Sequence, residues 1–312
     1  RGIILISIDD KEYAYLKVLC DCIFKEKNYI GTMIWESKFG RENDSKLCCK
    51  TEYILCYSKN IKKCKINKEK VEDFTSYKYE DEFVKERGRY KLYKLDDASR
   101  RYSKSSDFPI EINGEIAIPG GTIKENEKHI WDWRWSKKRV EWGIKNGFIV
   151  MKKDKNGINR VYSKVYQYCD NKGKKIIRTK PYINIINDIK TVHGTFELEQ
   201  IFGEKRKFEY PKPVKLIKYL LEIFSQKDFL ILDFFAGSGT TGHAVMEKNK
   251  EDGGERRFIL ITNNENQICE TITYPRLKKV IYGIEQGNQR FLLCNYEENL
   301  KYFRIEEVEN FT

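Results

Sequence analysis

One stretch, residues 229–242, constrains the fold most, because a short apolar run leads through small residues into a helical pattern. Phe229 to Leu232 predicts a buried strand that ends at Asp233. Ala236-Gly237-Ser238-Gly239 predicts a tight turn, and Thr240 to Asn249 predicts the helix after it. Glycine lets a ligand approach the backbone, and a helix N-terminus offers free N–H groups. The stretch therefore predicts a cofactor-binding turn at the edge of an α/β sheet.

Residues 233–241, Asp-Phe-Phe-Ala-Gly-Ser-Gly-Thr-Thr, resemble the S-adenosylmethionine loop of the amino-type DNA methyltransferases, and we call them the cofactor loop. This group methylates the exocyclic amine of adenine or cytosine. Other segments resemble the modification subunits of type III restriction systems and solitary adenine-specific DNA methyltransferases, which share the beta-class motif order. These segments are residues 2–10, 34–38, 51–60 and 273–281.

The resemblance covers most of residues 1–60 and 193–283 and carries several implications. It implies a doubly wound, Rossmann-like methyltransferase sheet with an inserted α+β target recognition domain. It implies S-adenosylmethionine as the cofactor and the N6 amine of adenine in DNA as the methyl acceptor. We place the N-terminal part of the catalytic domain at 1–60, the target recognition domain at 61–190 and the cofactor-binding part at 191–312.

The catalytic motif of this family, Asp/Asn-Pro-Pro-aromatic, does not occur in the sequence, because none of the six prolines are adjacent. In the family that motif accepts the protons of the target amine and stacks on the flipped base. We therefore assign no catalytic residue within this chain. In the family the motif precedes the first strand found here, so we expect an N-terminally incomplete enzyme. The alternative is a catalytically incomplete DNA-binding subunit or remnant.

The resemblance also implies which residues bind the cofactor. We expect Asp233 to accept from its ammonium, Lys212 to pair with its carboxylate and Glu265, past the next strand, to accept from its ribose diol. The alternatives are a carboxylate that only caps the turn and two solvated side chains. The full set is Asp233, Phe235, Ala236, Gly237, Gly239, Thr240, Glu265, Lys212 and Pro213.

The net charge of +12 indicates an anionic partner, and double-stranded DNA is the one that the resemblance implies. Arginines and a lysine interleave with tyrosines inside the insertion, a pattern that suits phosphate and base-edge contacts. A solvated charged face is the alternative. The predicted DNA-binding residues are Arg87, Arg89, Arg100, Arg101 and Lys104.

Trp35 and Lys38 stand where the family lines its target-base pocket, although a core tryptophan and an exposed lysine are the alternatives. Four tryptophans between 131 and 142 are more typical of the insertion's own core than of a stacking platform.

Nine scattered cysteines without a C-x-x-C pair argue against a metal site and favour reduced thiols in a cytoplasmic protein. No apolar run is long enough to span a membrane. A helicase-nuclease restriction subunit and a homodimer are further partners that the resemblance leaves open.

Three predictions concern the strands and the first helix. Gly2 to Ile8 is nearly all apolar and predicts a strand buried on both faces, as in a parallel sheet. Asp9 predicts the cap of a helix with an apolar stripe at Leu16, Leu19, Cys20 and Ile23. Tyr29–Trp35 and Glu52–Tyr57 predict two more strands.

Overall fold

The computed structural model describes residues 2–40, 47–99, 101–122, 129–286, 289–291 and 299–304. The helices are α1 (Asp10–Phe24), α2 (Val84–Arg87), α3 (Lys137–Lys145), α4 (Thr191–Phe202), α5 (Val214–Phe224), α6 (Thr240–Asp252) and α7 (Tyr274–Tyr282). The strands are β1 (Ile3–Ile8), β2 (Tyr29–Glu36), β3 (Thr51–Ser58), β4 (Glu69–Lys70), β5 (Tyr90–Lys94), β6 (Asp96–Asp97), β7 (Ile110–Ile112), β8 (Glu115–Ala117), β9 (Asp132–Trp133), β10 (Ile149–Lys153), β11 (Asn159–Tyr166), β12 (Thr179–Lys180), β13 (Ile185–Ile186), β14 (Leu230–Asp233), β15 (Arg257–Leu260), β16 (Ile284–Gln286) and β17 (Gln289–Phe291). Within these ranges no helix is both long and apolar enough to cross a membrane.

The chain divides into two compact units, and the inserted unit is narrower than predicted. The first unit combines Arg1–Lys68 with Pro181–Thr312, and the second is Glu69–Lys180. The flanks of the predicted insertion, 61–68 and 181–190, belong to the first unit because they form hydrogen bonds with other parts of that unit. The Asn67 side-chain amide donates to the backbone carbonyls of Glu222 (2.7 Å) and Ser225 (2.9 Å). Strand β13 likewise pairs in parallel with β2.

The first unit contains a four-stranded sheet of order β1-β3-β2-β13. Strand β1 runs antiparallel to β3, with Ile3 opposite Ser58 and Ile8 opposite Tyr53. The prediction of a strand buried on both faces in a parallel sheet is therefore wrong for β1, whose side chains are only partly buried or exposed. An apolar run fixes neither the direction of the neighbouring strand nor how many sides are covered.

Both faces of β3 are covered by helices. On one face Ile54 and Cys56 belong to a core cluster with Leu216 and Leu220 of α5. On the other face Leu55 and Tyr57 cluster with residues of α1.

Helix α1 begins as predicted, but its buried side is displaced from the predicted stripe. The Asp9 carboxylate accepts from the Glu12 backbone N–H at 3.3 Å, which is an N-cap hydrogen bond. Cys20 is buried and Leu16 packs in the same cluster, whereas Leu19 and Ile23 are exposed. Only half of the predicted stripe therefore lies on the side of α1 that packs against β3.

Strands β14 and β15 form a separate parallel pair connected by α6. Leu230 lies opposite Arg257, and Asp233 lies opposite Leu260. Ile231 packs against α5 and α6, while Leu230 and Leu232 on the other side are 55% and 47% exposed. The predicted strand–turn–helix is confirmed, but the prediction that the whole strand is buried is wrong, because one face has no covering layer in the described part of the chain.

The second unit is organised around the antiparallel sheet β10-β11-β5 and has its own core. Trp133 and Trp135 are buried there, and Trp142 packs against the same cluster. The prediction of a tryptophan core is confirmed for these three residues, whereas Trp131 is only partly buried and is not part of the cluster. The α/β class of the chain, with an α+β insertion, is also confirmed.

Helix α4 passes unusually close to the segment before α5, and Gly194 makes that approach feasible. A Cβ atom at Gly194 would lie 2.4 Å from the Pro211 carbonyl oxygen and 3.0 Å from the Lys212 carbonyl carbon. Contacts this short require backbone to move, since both atoms belong to the main chain.

We predict that Gly194→Ala destabilises the protein by about 1–3 kcal/mol, as an overpacked site does. The sign of the change in stability is informative, because glycine to alanine in an uncrowded helix stabilises by up to about 1 kcal/mol. Chemical denaturation of the variant measures the free energy of unfolding, with Gln200→Ala on the exposed side of the same helix as the control. A gain in stability for Gly194→Ala would contradict the close packing.

Candidate cofactor site

The cofactor loop follows a backbone path that requires glycine at two positions. Gly237 and Gly239 have φ angles of 49° and 76°, in the left-handed region that side chains disfavour. Gly239 is also tightly packed, because a Cβ atom there would lie 3.1 Å from Thr273 Cγ2. The glycine pair in the sequence therefore has a direct conformational cause.

Asp233 holds this turn together from inside. One carboxylate oxygen accepts from the Phe235 backbone N–H at 3.0 Å, and the other accepts from the Thr241 hydroxyl at 2.6 Å. The carboxylate thus joins the end of β14 to the first turn of α6. This arrangement favours the alternative in which Asp233 caps the turn, although each oxygen keeps a lone pair for a further donor.

The loop retains backbone donors for a ligand. The Ala236 amide donates to the Ile261 carbonyl at 3.0 Å, and the Gly239 amide donates to the Ala236 carbonyl at 2.7 Å. The amides of Gly237 and Ser238 donate to no acceptor within the described ranges. Adjacent unpaired amides in a turn with left-handed residues suit an anionic group.

Thr240 and the segment before α5 support the loop from behind. Thr240 is buried, and its hydroxyl donates to the Lys212 carbonyl at 2.9 Å. The Lys212 ammonium forms an ion pair with Glu52 and lies 4.8 Å from the centre of the Trp35 ring. Lys212 is therefore already paired, and it could reach a cofactor carboxylate only by sharing or leaving Glu52. Pro213 is buried and stands at the N-cap of α5.

The other predicted cofactor residues lie along the same edge of the sheet. Phe235 is 92% exposed, and Ala236 is buried under the turn. Glu265 is exposed in the turn that follows β15, where its carboxylate faces the Asn263 side-chain amide at 3.4 Å. Because β14 and β15 are parallel, the cofactor loop and Glu265 both follow the carboxyl ends of their strands.

The predicted target-base pocket is not supported at Trp35. Its ring has no solvent exposure, and its indole N–H donates to the Ile189 carbonyl at 2.6 Å. Trp35 is therefore a core residue, the alternative considered above, because a fully buried ring cannot stack on a base. Lys38 is exposed at the surface.

The sequence predictions missed a buried arginine beneath the loop. Arg276 of α7 has no solvent exposure, and its Nη1 donates to the Ser238 carbonyl (3.2 Å), the Ser238 hydroxyl (3.0 Å) and the Thr240 hydroxyl (2.8 Å). Burial lowers the pKa of Arg276 to about 10, so the side chain stays cationic at neutral pH. In the sequence this arginine is marked only by its place in the segment 273–281, which resembles the family.

A histidine and a glutamate complete the environment of Arg276. Burial lowers the pKa of His243 to about 3, and the neutral ring places Nδ1 at 3.4 Å from Arg276 Nη2. Glu197 Oε2 lies 3.7 Å from the same Nη2. Burial raises the pKa of Glu197, while the backbone N–H of Val214 and the Arg276 charge oppose that rise.

The predicted DNA-binding residues of the second unit fall into two groups. Arg87 is a structural residue, because its guanidinium lies 3.7 Å from the Phe83 ring centre and donates to the Asn146 carbonyl at 3.0 Å. Arg89, Arg101 and Lys104 are exposed, and Arg89 forms an ion pair with Glu80. Arg100 lies outside the described residues.

A cleft of about 340 Å³ also opens beside β2, lined largely by apolar side chains that include Ile30, Met33 and Phe224. Its lining contains no residue of the cofactor loop. The loop is thus an open edge of the sheet, and its chemistry rests on backbone donors, not on an enclosed cavity.

Several known proteins are similar to this chain. The Mod subunit of the type III restriction-modification enzyme StyLTI from Salmonella typhimurium is 33% identical over 89% of the chain and 41% of its own length. The EcoPI Mod subunit of Escherichia phage P1 is 32% identical over 85% of the chain and 42% of its own length. The type II methyltransferase M.KpnI of Klebsiella pneumoniae is 33% identical over 98% of the chain and 73% of its own length.

The chain thus spans about two fifths of the type III relatives. Among solved structures, a putative DNA modification methylase from Thermus thermophilus, complexed with S-adenosyl-L-methionine, matches with a TM-score of 0.38 and 13% identity over 96% of this chain and 75% of its own. The family model for DNA methylases matches residues 1–293. The chain belongs to the DNA methylase family.

Proposed function

We propose that this chain forms the cofactor-binding and target-recognition parts of an S-adenosylmethionine-dependent DNA methyltransferase that modifies the N6 amine of adenine. The observation that carries the proposal is the cofactor loop at the carboxyl edge of a parallel strand pair, with left-handed glycines and two amides that find no acceptor in the described part of the chain. Membership of the DNA methylase family supports the reaction class. Adenine is favoured over cytosine by the resemblance to type III modification subunits.

The residues at this edge fit the parts of the cofactor. The amides of Gly237 and Ser238 suit its carboxylate, and Asp233 keeps lone pairs for its ammonium. Glu265 is exposed on the same edge and suits the ribose diol, while the exposed Phe235 offers an apolar surface. The cofactor supplies an already activated methyl group, so the chain contributes mainly by orienting the bound molecule.

The relatives suggest where such an enzyme would act. Since the matched Mod subunits belong to type III restriction-modification enzymes, we propose DNA as substrate, a helicase-nuclease restriction subunit as a partner and a cytoplasmic location. A homodimer is a further arrangement compatible with this assignment.

A second candidate function follows from the missing Asp/Asn-Pro-Pro-aromatic motif. The chain would then bind cofactor and DNA as a subunit without catalysing transfer by itself. An assay of methyl transfer from labelled cofactor to DNA, made on the protein as its whole gene encodes it, separates the two, because only an enzyme labels the DNA without an added chain.

The proposal predicts that the protein binds S-adenosylhomocysteine and that Gly237→Val weakens this binding about tenfold or more. Valine at a left-handed φ costs about 1–2 kcal/mol, so the loop would leave its present path. Isothermal titration compares the variant with Gly253→Val at the other end of α6. Gly253 has a similar φ of 63° and open space around it, so its variant shares the strain but not the site. Equal affinities for wild type and Gly237→Val would remove the loop from the site.

The exposed arginines predict sequence-dependent binding of DNA. Arg89→Ala and Arg101→Ala should weaken binding to the target duplex more than to a scrambled duplex, because a bidentate arginine–guanine pair discriminates by about 1–3 kcal/mol. Replacement of the exposed Lys62 and Lys63 by alanine should instead weaken both duplexes and flatten the salt dependence.

A salt series with both duplexes measures these effects, after sequencing of modified bases in host DNA has identified the target. Arg87→Ala is the structural control. It should lower the free energy of unfolding and leave the discrimination between the two duplexes unchanged. If the Arg89 and Arg101 variants lose affinity for both duplexes equally, these arginines bind only phosphate.

A further inference from the structure

We propose that Arg276 and Glu197 are positioning residues that hold the Ser238–Thr240 part of the cofactor loop in its binding conformation and thereby set cofactor affinity. The inference rests on the proposed function, since it concerns the same loop. It adds two residues that lie beneath the loop and do not themselves contact the cofactor.

The contacts of Arg276 are concentrated on the loop. Its Nη1 reaches one backbone carbonyl and two hydroxyls of Ser238 and Thr240 within 3.2 Å. These residues flank Gly239, whose left-handed φ sets the entry into α6. One planar guanidinium thus fixes both sides of the turn that presents the unpaired Ser238 amide.

Glu197 extends this support to the segment before α5. Its two carboxylate oxygens accept from the Val214 backbone N–H at 3.2 and 2.9 Å, at the first residue of α5. The Lys212 carbonyl, two residues earlier, accepts from the Thr240 hydroxyl. A closed path therefore runs from the loop through Arg276, Glu197 and Val214 to Lys212, and back to the loop.

The chemistry of the pair argues for a positioning role. A fully buried cation is costly, and an apolar side chain of similar volume often stabilises a core as well or better. Arg276 reaches in two directions: its Nη1 donates to acceptors of Ser238 and Thr240, while its Nη2 lies 3.7 Å from Glu197 Oε2. A planar guanidinium with two separate terminal nitrogens can contact both sides at once. Lysine would keep the charge but present a single nitrogen, which cannot take both positions.

The chain offers a matched control in a second buried arginine. Arg256 is 6% exposed and pairs with Asp252 at 2.9 and 3.0 Å, at the far end of α6. It has no hydrogen bond to the cofactor loop. Arg256→Lys therefore disturbs a buried arginine network in the same unit without touching the site.

Hydrogen exchange of the free protein tests the conformational part of the inference without any cofactor. Arg276→Lys should accelerate exchange of the amides at 237–241, and Arg256→Lys should not. Glu197→Gln should act in the same direction as Arg276→Lys, because it keeps the acceptor for Val214 and removes only the charge. It also serves as the second variant if Arg276→Lys fails to fold.

Titration with S-adenosylhomocysteine tests the functional part. Arg276→Lys and Glu197→Gln should each weaken binding, the former about tenfold, the size of one lost charge-assisted hydrogen bond. Arg256→Lys should lose stability and keep wild-type affinity. If wild type binds and Arg276→Lys binds equally well, the positioning role is wrong and the proposed function stands. If wild type does not bind, the proposed function itself fails, while the exchange data still decide whether Arg276 orders the loop.

Discussion

The site depends on a backbone path that enters the left-handed region twice within three residues, at Gly237 and Gly239. That path turns the chain sharply from the end of β14 into α6 and leaves two neighbouring amides without an acceptor among the described residues. An isolated peptide would not hold this turn, because fixing its backbone in one conformation costs conformational entropy. The Asp233 carboxylate closes it from the strand side, and buried groups beneath Ser238 and Thr240 close it from below.

Local signals in the sequence were sufficient for the turn itself. Apolar residues before Asp233, glycines after it and a helical pattern beyond Thr240 all specify conformation over a few residues. The Asp9 cap and the tryptophan core of the second unit were predictable for the same reason, since each depends on neighbours in sequence or on a dense apolar composition. The cofactor assignment required more, namely the resemblance of residues 233–241 to a known loop.

What the sequence did not reveal depends on long-range placement. The direction of β1 relative to β3 is set by pairing partners some fifty residues apart, which an apolar run cannot encode. The burial of Trp35 and the exposure of Leu230 and Leu232 depend on which layers cover each sheet. Arg276 is the clearest case, because an arginine in a helix is ordinarily on the surface. Only the fold brings its guanidinium under a loop more than thirty residues earlier.

Photochemical labelling tests most directly whether the cofactor loop is the S-adenosylmethionine site. The protein is irradiated with methyl-labelled S-adenosylmethionine, digested and analysed by peptide mapping, with an excess of S-adenosylhomocysteine as competitor. Our account predicts competable label in the peptide that carries Phe235, a residue that is 92% exposed beside the amides of Gly237 and Ser238. Label confined to peptides of the cleft beside β2, or label that the competitor does not displace, would contradict the assignment.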